Sequence, residues 1–233
     1  MKSKNPFRNL SGFERCLWGA SSVIITVSFL LSPEKDLLSL TASLIGAAAL
    51  IFLAKGYVIG QVLVIIFSLF YGAVSFYFHY YGEMITYIGM TAPMAAVATV
   101  SWSKNKFKDE LEVKVRRLNI KTVIGLIFLT PIVTLIFYFI LRALGNANML
   151  FSTLSVATSF IASYLTYFRS PYYALGYAAN DIVLIVLWVL AAIKEPYCIP
   201  MIFCFVTFLF NDIYGFYNWK KMKRKQEKKT QAD

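Results

Sequence analysis

Eight apolar runs, each about 20 residues long, constrain what this chain of 233 residues can fold into. They lie near residues 14 to 31, 37 to 54, 58 to 79, 84 to 101, 120 to 141, 148 to 168, 172 to 192 and 197 to 219. A helix rises about 1.5 Å per residue, so each run is long enough to cross the hydrocarbon layer of a bilayer. Only helices and closed barrels satisfy their own backbone hydrogen bonds there. Pro33, Lys55-Gly56, Tyr81-Gly82, the segment 102 to 119, Gly145-Asn146, Ser170-Pro171 and Glu195-Pro196 separate the runs. Charged residues are 15% of the chain, against about a quarter in an ordinary soluble domain. The expected class is an all-α integral membrane protein with eight transmembrane helices.

An even number of spans puts both termini on one side, and charge says which side. The formal charge of +11 gathers in residues 1 to 15, 102 to 121 and 220 to 233, and the turns holding Lys55 and Arg169 fall with them. The opposite turns set Lys35, Arg142 and Lys194 against Glu34, Asp36, Glu83 and Glu195. The positive-inside rule then places both ends in the cytoplasm of a plasma (inner) membrane. No small-residue cleavage pattern follows the first run, which is therefore expected to stay as a helix. Cys16, Cys198 and Cys204 are odd in number and lie in or beside apolar runs, which argues against a disulfide framework. The segment 102 to 119, SWSKNKFKDELEVKVRRL, reads as a solvated connector attracted to anionic headgroups. No nucleic-acid module accompanies its charge, so no nucleic-acid partner is expected.

The runs also fall into two triplets. Residues 37 to 102 form one three-helix unit and 148 to 219 another, ending at Trp102-Ser-Lys and Trp219-Lys. The single helix near 120 to 141 lets the second triplet enter the membrane in the same direction as the first. Such parallel repeats are related by an axis along the membrane normal and leave a path between them. The expected organisation is an N-terminal tail and extra helix (1 to 36), a first repeat (37 to 102), a basic loop with a linker helix (103 to 147), a second repeat (148 to 219) and a basic tail (220 to 233).

Polar residues inside apolar runs are costly in lipid and mark the interior of a bundle. On the third run Gln61, Ser68, Tyr71, Gly72 and Ser75 recur on one helical face. Ser152, Ser155, Ser159, Ser163 and Thr166 do the same on the sixth, and for serines tight helix packing is a sufficient reason. On the seventh run Asn180 and Asp181 share a face with Trp188; on the last, Asn211, Tyr214, Gly215 and Asn218 form a stripe from which Asp212 is offset toward Trp219. Asn180 and Asn211 lie at similar depth. Two amides there suit a planar polar ligand, or equally a set of interhelical hydrogen bonds. Trp102 and Trp219, beside lysines, read as interfacial anchors, and Pro93 invites a kink in the fourth helix. No dinucleotide, P-loop, zinc-protease or nucleophile-elbow motif is present, so neither catalysis, a cofactor nor a metal is expected. Asp181 or Asp212 would suit a proton or sodium, without a recognisable ion cage around them.

The ending Asn211-Asp-Ile-Tyr-Gly-Phe-Tyr-Asn-Trp219-Lys resembles that of the PnuC family of nicotinamide riboside transporters. The likeness extends through Ala178 to Trp188 and, in the first triplet, from Ala54-Lys-Gly through Gln61, Tyr71 and Gly82-Glu83. It implies a core of three plus one plus three helices, SWEET-like in plan, after one additional helix. It also implies facilitated diffusion of a vitamin nucleoside, trapping of the product by a cytoplasmic kinase, and a homo-oligomer. The substrate-binding residues carried over by position are Gln61, Ser68, Tyr71, Asn180, Asp181, Trp188, Asn211, Tyr214 and Asn218. Ser68 stands where a larger amide is expected in that family, so thiamine and riboflavin remain alternative cargoes. A non-transporting membrane sensor or scaffold is the other alternative.

Overall fold

The computed structural model describes residues 5–108, 110–146 and 148–231. Its helices are α1 (Gly12–Leu31), α2 (Leu37–Ala54), α3 (Val58–Tyr77), α4 (Tyr81–Thr86), α5 (Ala92–Lys104), α6 (Ile120–Ala143), α7 (Met149–Tyr167), α8 (Tyr173–Ala192) and α9 (Ile199–Gln231). A π-turn at Tyr87–Thr91 joins α4 to α5, making one interrupted span. Eight segments among the described residues are long and apolar enough to cross a membrane, and none of those residues forms a strand beyond two isolated bridges.

Polar side chains cap the starts of α1, α2 and α6. Ser11 and Glu14 form a reciprocal capping box on α1. Asp36 accepts from the Leu38 and Ser39 amides at 3.0 Å, and Asn119 from Thr122 at 2.8 Å. The fourth span starts earlier than its hydropathy suggests. Tyr81, Gly82 and Glu83 belong to α4, and Glu83 is buried between helices instead of standing in a solvated turn. Pro93, with no N–H to donate, follows the π-turn, so the expected irregularity takes the form of a widened turn.

The two triplets use the same turn between their first and second helices. Gly56 and Arg169 both take positive φ, 66° and 55°. Their amides bond back to the Leu53 and Thr166 carbonyls, and the next amides to those of Phe52 and Leu165. Beyond each turn a glycine lets the helices touch. A Cβ on Gly60 would meet the α2 backbone at 2.6 Å, and one on Gly176 the α7 backbone at 2.8 Å. Outside both triplets, the apolar stretch of α6 buries none of its residues, as suits a helix solvated by lipid.

The end of the bundle that carries the basic segments departs most from expectation. Trp102 and Trp219 are wholly buried, not interfacial, with ring centroids 5.3 Å apart. The Trp102 indole donates to the Thr166 carbonyl at 2.9 Å and that of Trp219 to Leu53 at 2.8 Å, so each triplet's last helix is tied to the other's first. The loop after α5 is no solvated connector, since Val113 and Phe107 are buried. The Val113 amide donates to the Gly56 carbonyl (2.9 Å) and the Arg116 amide to that of Arg169 (3.1 Å), strapping the loop across both turns. The expected basic tail instead continues α9 to Gln231, residues 232 and 233 lying outside the described residues. Gln226 clasps the loop, donating to the Val113 carbonyl at 3.0 Å and accepting from the Val115 amide at 2.9 Å.

Candidate functional site in the bundle centre

Between the triplets lies a cavity of about 40 Å³, lined by residues of α2, α3, the π-turn, α8 and α9. Each wall follows from local structure. The π-turn places Tyr87 and Thr91 on it, α8 supplies Tyr177, Asn180 and Asp181, and α9 supplies Phe205, Phe208 and Asp212. Rings fill most of the space. Phe67 stands 5.8 Å from Tyr87 and 5.7 Å from Phe208, both edge-on. A volume this size accommodates water-sized occupants, so anything as large as a nucleoside requires the walls to part.

Asn180 is held by α7. Its Oδ1 lies 2.9, 3.0 and 3.2 Å from the hydroxyls of Thr158, Ser159 and Ser155. The serine face of α7 therefore orients the Asn180 side chain as well as packing. Ser155 also stands 3.2 Å from Glu83 Oε2 and donates to one acceptor at a time. With its oxygen supplied, Asn180 turns its amide nitrogen toward Tyr87, where the contact is a long 3.5 Å. Asn180 therefore keeps donor capacity on the cavity wall. Beside it lie the Asp181 and Asp212 carboxyls, and an Oδ2 on each is buried without a hydrogen-bond partner. The Thr91 hydroxyl on the same wall is buried and also unpartnered.

The other expected site residues divide between layers. Tyr71 and Trp188 meet one layer away from the basic end, the indole donating to the Tyr71 hydroxyl at 3.0 Å. Phe78 and Tyr80 pack on Trp188 at 5.5 and 5.4 Å, closing that end. Gln61 and Ser68 are buried on α3 outside the cavity wall, with Nε2 and Oγ unbonded. The stripe of α9 faces away from the cavity. Asn211 donates to Ser21 of α1 at 2.9 Å, Tyr214 to Glu14 at 2.8 Å, and Asn218 to the Ala54 carbonyl at 2.7 Å. Asn180 and Asn211 therefore do not meet across one pocket. The residue offset from the stripe, Asp212, does reach Asn180's cavity.

Several participants escaped the sequence reading. Glu14 and Ser21 give the first helix its polar grip, and Lys55 pairs with Glu14 at 3.2 Å. The available signal was the capping pattern Ser11-Gly-Phe-Glu14, which marks a helix start but not a buried carboxylate. Phe67, Tyr87 and Thr91 read as ordinary bundle residues; only Phe67, four before Tyr71 and on its face, could have been flagged.

Residues 36–221 match the family described as nicotinamide mononucleotide transporter. The chain belongs to that family. Among its relatives, a nicotinamide riboside transporter PnuC of Neisseria mucosa is 27% identical over 208 residues, covering 87% of this chain and 78% of its own. A transporter of the same name from Haemophilus influenzae is 23% identical over 211 residues, 90% of each chain. The crystal structure of the vitamin B3 transporter PnuC superposes with a TM-score of 0.82 at 24% identity, over 94% of this chain and 95% of the other. This protein is thus a multi-pass membrane protein of the PnuC family, a family of transporters and not of enzymes.

Proposed function

We propose that the chain carries nicotinamide riboside across the plasma membrane by facilitated diffusion, the triplets opening the central cavity to one side and then the other. The observation that carries this reading is the aromatic-walled cavity between the triplets, in which the hydroxyl face of α7 orients Asn180. A planar carboxamide-bearing ring suits such walls, with the Asn180 N–H as its donor. Family membership supports the cargo, since curated relatives are named for nicotinamide riboside. Alternating access follows from a cavity sealed at both ends by different residues, because a carrier opens one seal at a time. The lysine and arginine bias supports cytoplasmic termini. The proposal includes a homo-oligomer and a cytoplasmic kinase that traps the product, both suggested by the family.

The test is uptake of labelled nicotinamide riboside by purified protein in sealed vesicles, with the mononucleotide, thiamine and riboflavin as competitors. Uptake that stops at the external concentration, ignores imposed ion gradients and yields only to unlabelled riboside is the expected result. Competition by thiamine or riboflavin would reassign the cargo. Accumulation driven by an ion gradient would replace facilitated diffusion with coupled transport. Binding without any uptake would favour the sensor reading.

A further inference from the structure

The family description names a mononucleotide and the curated relatives name a riboside, and these ligands differ in charge. The riboside is an N-glycosyl pyridinium cation, whereas the mononucleotide adds a phosphate. Two carboxyls, those of Asp181 and Asp212, line the cavity, and each leaves a buried Oδ2 without a hydrogen-bond partner. Whichever of the two ionises places a negative charge in the buried wall. No lysine, arginine or histidine lines the same wall to balance it. A buried charge without a partner is expensive, and here the partner is missing from the protein itself.

The rest of the wall describes the missing cation. Five aromatic rings line it, those of Phe67, Tyr87, Tyr177, Phe205 and Phe208. Aromatic faces attract organic cations through the ring quadrupole, more strongly where water is excluded. The unpartnered Thr91 hydroxyl, 3% exposed, adds a neutral group able to bond a ligand. Carboxyls alone would suit sodium equally. The five rings on the same wall add what sodium does not need and a flat cationic ring does.

We propose that Asp181 and Asp212 read the charge of the cargo, pairing with the cationic ring of an N-ribosyl pyridinium and thereby selecting it over uncharged analogues and over its phosphate ester. This rests on the transport reading above and adds a determinant of specificity to it. A phosphate dianion brought to the same cavity would face an anionic carboxyl pair with no basic residue on the wall.

The test compares nicotinamide riboside with its reduced dihydropyridine form, nearly the same in shape but uncharged, by calorimetric titration of the purified full-length protein. The parent is expected to favour the oxidised cation by about tenfold or more. Asp181→Asn combined with Asp212→Asn should bind both forms alike. Asp212→Asn alone keeps one carboxyl and should keep most of the preference, which leaves a readout if the double variant does not fold. Thr91→Val should weaken both forms together and leave their ratio unchanged. Equal affinity of the parent for the two forms would overturn the charge-reading role and leave transport of the riboside standing, as would displacement of the riboside by sodium at constant ionic strength. Failure of the parent to bind either form would instead remove the transport reading on which this one rests.

Discussion

The two ends of the bundle are closed by different physics. At the basic end, directional bonds hold the seal: two tryptophan indoles donate to backbone carbonyls across the triplets, and the loop after α5 bonds to both positive-φ turns and to Gln226. At the opposite end rings make much of the seal, Phe78 and Tyr80 in edge-on contact with Trp188. Beside them stand an indole-to-hydroxyl bond between α8 and α3 and Asn146, which accepts from the Gly82 amide and donates to Ser152. Ring contacts re-pack at low cost, whereas a buried donor or acceptor left unmade costs about 1–3 kcal/mol. The opposite end is therefore expected to open more readily, with the basic end as the fulcrum.

Breaking the fulcrum should have the largest effect. Trp219→Ala removes a fully buried ring together with its bond to Leu53, and is expected to cost about 3–5 kcal/mol in unfolding measured in detergent. Gln226→Ala leaves the Val113 carbonyl and Val115 amide without their side-chain partner, a loss of about 1–3 kcal/mol. Faster hydrogen exchange confined to residues 113 to 116 would show that the clasp has released. At the other end Tyr71→Phe leaves the Trp188 indole without its acceptor, costing about 1 kcal/mol or somewhat more. Its signature should be faster thiol labelling of a Ser75→Cys reporter, with labelling of a Val113→Cys reporter at the basic end unchanged. The smallest effect belongs to Glu227→Gln. It cuts an exposed pair with Arg117 and should leave the unfolding midpoint where it was. If Gln226→Ala and Tyr71→Phe loosened both ends equally, the division into fulcrum and gate would be lost.

The eight spans were legible because a bilayer demands about 20 apolar residues in a row, and only the limits of the fourth and last needed the structure. Glu83 looked like a turn residue because a carboxylate ends an apolar run, yet Ser155 on another helix receives it. Trp102 and Trp219 looked interfacial because tryptophan beside lysine is common at membrane surfaces. Their burial depends on the crossing of two triplets that sequence spacing does not encode. The loop carried a readable sign in the alternation Leu111, Val113, Val115 between charges, which suits an extended segment with one apolar side. On α9, periodicity correctly separated Asp212 from the Asn211, Tyr214 and Asn218 stripe. Which face met the cavity was decided by where α1 docks, through Glu14 and Ser21.

That last point yields the decisive measurement: calorimetric affinity for nicotinamide riboside in Asn180→Ala beside Asn211→Ala, each judged folded by its elution and unfolding midpoint. If the cavity between the triplets is the binding site, Asn180→Ala weakens binding by more than about tenfold and Asn211→Ala leaves it within a fewfold of the parent. Loss of binding in Asn211→Ala with Asn180→Ala unaffected would contradict it, moving the site to the face of α9 that α1 covers.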